Sequence, residues 1–368
     1  MSKRNVGLDC LKIIAMLMIV FIHVIGKGMF RYEANNVEFY KIALFIRIFC
    51  IVAVNCYVLI TGYFQIESKF NTKKIINIWG KVLFYSISIY IMLLLLGQVN
   101  FNIKDVIKSI FPILTNEYWF VNCYLLLYIL SPFINKMINQ LDKKEFKKLL
   151  IILLVVFSIF SSVLPVSFTM DNTRGYGIIW FIVLYLIGAY IRLYGNACYK
   201  NRNNLLTFFL ISIVSYGLVI LVQYICNKLH FLDMSERIYN YNFFTIFLAS
   251  VFLFLFFKNI NIKSLKVTNL VSKIVPLTFG VYIIHEQVVL RNYLYLNILH
   301  LNDFWNKITQ FIIIPSTAIV IFLICLVIEK ITKNTIQKFI CNKLEKIYLA
   351  INKRVKNIRK FKYEISNE

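Results

Sequence analysis

The chain has 368 residues, 60% of them hydrophobic, with a mean hydropathy of +0.71 and a formal net charge of +24. That apolarity excludes a soluble globular protein, and apolar runs of bilayer-spanning length recur along the chain. The expectation is an all-α polytopic membrane protein, a bundle of about ten transmembrane helices, in which the excess charge reports topology and lipid contact rather than nucleic-acid binding.

Ten spans are predicted, at about 10–30, 41–64, 75–96, 119–138, 149–165, 179–194, 205–226, 242–257, 276–298 and 308–329. They make one membrane domain, 1–329, followed by a basic tail, 330–368, expected to lie on anionic lipid as an amphipathic segment. With the amino terminus inside, the cytoplasmic segments and the boundary residue Lys12 hold 27 of the 41 Lys and Arg. The external segments with Lys27 hold 8. Positive charge collects on the cytoplasmic side, so both termini are expected there. The first span carries charge and lacks a small-residue cleavage pattern, so it is not expected to be a cleaved signal peptide. Eight cysteines are scattered without a Cys-x-x-Cys pair, which supports neither a zinc site nor a disulfide framework.

The first span, GLDCLKIIAMLMIVFIHVIGKGMF from Gly7 to Phe30, carries Asp9 and Lys12 near its start and His23 past its middle. An offset of eleven residues is close to three helical turns, which puts Lys12 and His23 on one face about 16 Å apart along the axis. Asp9, three residues before Lys12, pairs with it there. Asp9 and Lys12 at a span end are also placed to snorkel toward headgroups. His23 is deeper, and an ionisable group in hydrocarbon is costly unless it faces a cavity or a partner. Its plain alternative is a structural hydrogen bond between helices.

In the second span Arg47 and Asn55, eight residues apart, are expected on one inward face as substrate contacts. Lys69, Lys73 and Lys74 follow it, and Lys81 lies in the third span. Together they form a cationic group of the kind that holds the phosphates of a nucleotide-containing donor, although each alone reads as ordinary topology charge. In the fourth span Tyr124, Tyr128, Ser131 and Asn135 recur at spacings of 4, 3 and 4, one helical face that is either a wall of a polar cavity or a packed aromatic seam. Gly188 in the sixth span marks a close helix approach. The ninth, PLTFGVYIIHEQVVLRNYLY, places His285 and Glu286 near its centre. Adjacent helical residues point about 100° apart, so these two are not expected to face one partner.

These residues resemble the acyltransferase 3 family of membrane proteins, many of which O-acylate bacterial cell-surface carbohydrates. The most specific element is the family's arginine or lysine, ten residues, then histidine, matched by Lys12 and His23. LITGYF, YWFVNCYLLLYILSPFIN, WFIVLYLIGAY and TFGVYIIH are weaker echoes. The Arg-x-x-Arg pair that the family often shows after span two is replaced here by lysines, and the likeness is to the single-domain form. The resemblance implies a cell-membrane enzyme moving an acyl group, most often acetyl, from acyl-CoA to a carbohydrate or lipid-linked sugar, without a metal. His23 would be the base or a transient acyl carrier, Lys12 would stand where the donor enters, and Asp9 would hold Lys12. A transporter or flippase of a lipid-linked sugar is the alternative, since intramembrane polar residues line pathways as often as they do chemistry.

Overall fold

The computed structural model describes residues 4–29, 37–164, 169–170, 173–195, 201–231, 233–301, 310–334 and 336–365, and every regular element among them is helical. Helix α1 (Val6–His23) runs into a π turn, Val24–Met29. Helices α2 (Val37–Cys50) and α3 (Ala53–Gln65) share one span. Then come α4 (Thr72–Leu95), a short α5 (Ile103–Ile110), α6 (Trp119–Ile138), α7 (Lys143–Leu154), α8 (Phe160–Val163), α9 (Ile178–Tyr194) and α10 (Asn201–Lys228). The chain continues as α11 (Phe244–Asn259), α12 (Leu265–Ile274), α13 (Thr278–His285), α14 (Val288–Tyr293), α15 (Gln310–Lys333) and α16 (Ile336–Ile365). Among the described residues nine helical stretches are long and apolar enough to cross a bilayer, and Ile178–Tyr194 is a shorter apolar helix. The protein is therefore a multi-pass membrane protein.

Helix starts follow local chemistry. Asn5, Asn71, Asn102 and Ser264 each accept a first-turn amide with the side chain, and Asp142 forms a capping box with Glu145. Helix α1 runs through the middle of the bundle, against α3, α11, α13 and α15. The α3–α9 crossing is closest where Gly62 and Gly188 meet the other backbone. A Cβ would lie 2.1 Å from the Tyr185 carbonyl oxygen at Gly62 and 2.3 Å from that of Leu59 at Gly188, as the sequence leads one to expect of Gly188.

The ninth span departs from the prediction. It begins at Leu265 and ends at His285, with a 3-10 turn (Val275–Leu277) at Pro276. Glu286 (φ −99°, ψ 6°) caps α13, and Gln287 (φ −57°, ψ 132°) turns the chain out of the helix. Gln287 holds the break. Its side-chain oxygen accepts the Val289 and Leu290 amides and its nitrogen donates to the Ser86 carbonyl. His285 and Glu286 thus stand at the end of a span rather than in its middle.

Candidate active site

At the end of the bundle where α1 begins, a cavity of about 570 Å³ opens between α1, α3, α4, α6 and α13. Lys12, Met16 and Ile19 form its α1 wall, a stripe at spacings of four and three whose next member is His23. Four ammonium groups reach this space: Lys12, Lys73, Lys74 and Lys81. Three are already matched by carboxylates. Lys12 Nζ is 3.0 Å from Asp9, which also receives Arg4 Nε at 2.7 Å. Lys81 is 2.5 Å from Glu329, a fully buried carboxylate that Tyr85 and Gln337 also hold. Lys73 pairs with Glu345 on α16. Lys74 has no carboxylate at ion-pair distance among the described residues and instead rests over the rings of Tyr128 (4.4 Å) and Tyr124 (5.6 Å).

One turn beyond the top of the cavity, past Ile19 and Tyr282, His23 faces into the bundle. Its Nδ1 is 2.9 Å from His285 Nε2 and 3.2 Å from Glu286 Oε1. The tautomers follow from the partners. His285 Nδ1 lies 2.5 Å from the Val281 carbonyl, which only accepts, so that nitrogen carries the proton. Neutral His285 then presents Nε2 as an acceptor, and His23 Nδ1 donates to it, with the Glu286 carboxylate 3.2 Å from the same nitrogen. The lone pair of His23 is left on Nε2, the arrangement in which an imidazole works as a general base. Glu286 is held in turn by Lys27, 2.5 Å from both its oxygens, and by Arg291 at 3.7 Å. Arg291 continues to Glu117 at 3.1 Å, and Glu117 to Lys108 at 3.0 Å.

The expectation that His285 and Glu286 cannot share a partner is therefore corrected: both meet His23. The 100° rule applies within a continuous helix, and the helix stops between them. Asn55 is inward-facing and buried, donating to the Tyr241 carbonyl and Ser250 and accepting from Trp180 Nε1, so it ties α3 to its neighbours and does not line the cavity. Arg47 lies 4.4 Å over the Tyr239 ring, away from the cavity. Lys69 lines a separate pocket of about 260 Å³ beside Phe70 and Asn135, which removes it from the lysine group. Tyr124 lines the cavity. Tyr128 supports it from behind, its hydroxyl accepting the Asn71 amide at 2.9 Å.

Lys27, Arg291 and Glu329 were not singled out from the sequence. Lys27 was detectable, being four residues after His23 and so on the same stripe.

The ligand atoms of His23, His285 and Glu286 lie within 4.8 Å of one another, a spacing compatible with a divalent ion. Two fixed cations, Lys27 and Arg291, already balance Glu286, and an ion placed among the three would meet both. The residues fit an oriented imidazole better than a metal centre.

A helical membrane bundle with a cation-lined cavity, and a half-buried histidine beside a carboxylate beyond its top, defines a multi-pass membrane protein with a charged site between its helices. The chain belongs to the acyltransferase 3 family, whose acyltransferase-domain model matches residues 5–330. It is a membrane acyltransferase. No curated protein and no solved structure matches it.

Proposed function

We propose that this acyltransferase moves an acyl group, acetyl in the first instance, from acyl-CoA to a hydroxyl of a cell-surface or lipid-linked carbohydrate in the cell membrane. The observation that carries the reading is the continuous α1 stripe from Lys12 through Met16 and Ile19 to His23, with ammonium groups at one end and the His23 imidazole, fixed through Nδ1, at the other. Lys74, and Lys73 after it, receive donor phosphates, while Lys12 guides the pantetheine arm along the stripe. The end bearing the lysines is cytoplasmic, as the distribution of Lys and Arg supports.

His23 Nε2 takes the proton of the acceptor hydroxyl as its oxygen attacks the thioester carbonyl. The tetrahedral intermediate expels the CoA sulfur, which takes that proton back, leaving the ester and free CoA thiol. During the proton's stay on Nε2 the ring is an imidazolium, and Glu286 against Nδ1 stabilises that charge. His285, whose ring is fixed by the Val281 carbonyl, keeps the His23 plane in place.

The test is transfer from labelled acetyl-CoA by the purified protein to a surface-polysaccharide extract, read as ester label released by mild base. His23→Ala is expected to lose about 10²- to 10⁴-fold in kcat. Transfer at the wild-type rate would remove His23 from the mechanism.

A further inference from the structure

The tail helix α16 does not stand clear of the bundle. Gln337, Cys341, Leu344 and Glu345 recur at helical spacing and turn one face toward α4. A Cβ at Gly80 of α4 would touch Leu344 Cδ1 at 3.0 Å and Cys341 Sγ at 3.2 Å, so the two backbones approach closely there. On either side of this contact α16 reaches a lysine of the cavity. Gln337 Nε2 donates to Glu329 Oε2 at 2.9 Å and to the Tyr85 hydroxyl at 2.8 Å, and Glu329 holds Lys81. Glu345 pairs directly with Lys73.

These two ties differ in kind. The Glu329 carboxylate is 0% exposed and is met by Lys81, Tyr85 and Gln337, so it is a fixed part of the core. The Glu345–Lys73 pair lies at the cavity rim, with side chains 23% and 62% exposed, where water and salt reach it. An exposed carboxylate–ammonium pair is weak, and a phosphate brings more charge and more acceptor oxygens to the same ammonium group.

We propose that Glu345 is an intramolecular competitor of the donor. It occupies, on Lys73, the place of a donor phosphate, so phosphate binding and docking of this part of the tail exclude each other. The proposal rests on the acyl-CoA reading above and adds a regulatory consequence to it. A filled cavity loosens α16 from α4, and whatever draws α16 away, such as an anionic leaflet attracting its basic residues, opens Lys73 to the donor.

The experiment is equilibrium binding of coenzyme A to the full-length protein in nanodiscs of zwitterionic lipid. Glu345→Gln is expected to tighten coenzyme A binding about three-fold, because the competing carboxylate is gone. Lys73→Gln is expected to weaken it, and adding Glu345→Gln to Lys73→Gln to change nothing further. Limited trypsin cleavage within α16 should quicken when coenzyme A is added to the wild type, a response that simple loss of tail packing would not produce. Wild-type binding that is unchanged or weakened by Glu345→Gln would overturn the proposal alone. Failure of the wild type to bind coenzyme A would overturn the donor reading and the proposal together.

Discussion

Replacing Glu286 by glutamine keeps the shape of the side chain and removes the carboxylate that lies 3.2 Å from His23 Nδ1. In the proposed mechanism this is a charge effect on a transient imidazolium, and its size follows from the geometry. At 3.2 Å and an effective dielectric constant of about 20, a full charge pair is worth about 5 kcal/mol. Lys27 and Arg291 already draw on the same carboxylate, so the part felt by His23 is smaller, about 2–4 kcal/mol, or about 30- to 1,000-fold in kcat. The donor KM should stay within about two-fold, because Glu286 stands beyond the cavity wall. The assay is the initial rate of CoA-thiol release with acetyl-CoA and a polysaccharide extract. Thermal unfolding of the same preparation checks the fold, since two cations lose their partner. Lys27→Gln combined with Glu286→Gln restores local neutrality and should recover stability while leaving the rate low. A single variant that turns over at the wild-type rate would refute the coupling of Glu286 to His23.

The other predictions concern the cavity and the scaffold. Lys74→Gln should raise the donor KM about five- to ten-fold with kcat held, whereas Lys69→Gln, outside the cavity, should leave donor kinetics within two-fold of wild type; equal effects would contradict the division of the lysines. Gly62→Ala should cost about 3 kcal/mol or more in thermal stability, because its Cβ would lie 2.1 Å from a backbone oxygen of α9 that has no room to retreat. The Arg192 guanidinium hydrogen-bonded to Glu67 at 2.6 Å holds that carboxyl below the usual carboxylate range. A lowered folded-state value stabilises the fold above the unfolded pKa of about 4.3, a contribution lost as pH falls through the folded value. Glu67 is half-exposed, so Arg192→Gln should lower stability by no more than about 1 kcal/mol at pH 7. That difference should shrink toward pH 3 in pH-dependent unfolding curves.

What was legible in the sequence is what depends on helical periodicity alone. The stripe Lys12, Met16, Ile19, His23 needs only the 3.6-residue repeat, and the presence of apolar spans needs only length and apolarity, whereas the bounds of the ninth, Leu265–His285 instead of 276–298, do not follow from them. The glycine crossing at Gly188 belongs with these, since a small residue in a span signals close approach. The break after His285 was not legible, because no glycine or proline marks it. It is held by Gln287 bonding to Ser86, 201 positions away, and a tertiary hydrogen bond leaves no periodic trace. Asn55 shows the limit of reading a face. Its inward direction was predictable, but whether an inward amide is saturated by Trp180, Tyr241 and Ser250 or left open for a ligand depends on three distant segments. The scarcity of acid is itself a signal. With 17 acidic residues against 41 basic ones, an acid within or beside a span has cations to meet. Asp9, Glu286 and Glu329 each meet at least one.

The same charge balance bears on the choice between transfer and transport. A translocation path needs its polar groups open to a moving solute at successive depths. Here the acidic groups within the bundle are committed to cations: Asp9 with Arg4 and Lys12, Glu329 with Lys81, Glu286 with Lys27 and Arg291. Between the lysine end and His23 the wall is apolar and aromatic, with Met16, Ile19, Phe120, Phe279 and Tyr282. Such a lining suits a slender, weakly polar arm that carries a thioester and does not suit a sugar stripped of water, which would leave its hydroxyls unpaired. Group transfer needs no solute to pass through that layer. It needs a reactive carbonyl to reach the imidazole from the lysine side while the hydroxyl meets it from the other, the role that the proposed mechanism gives to His23.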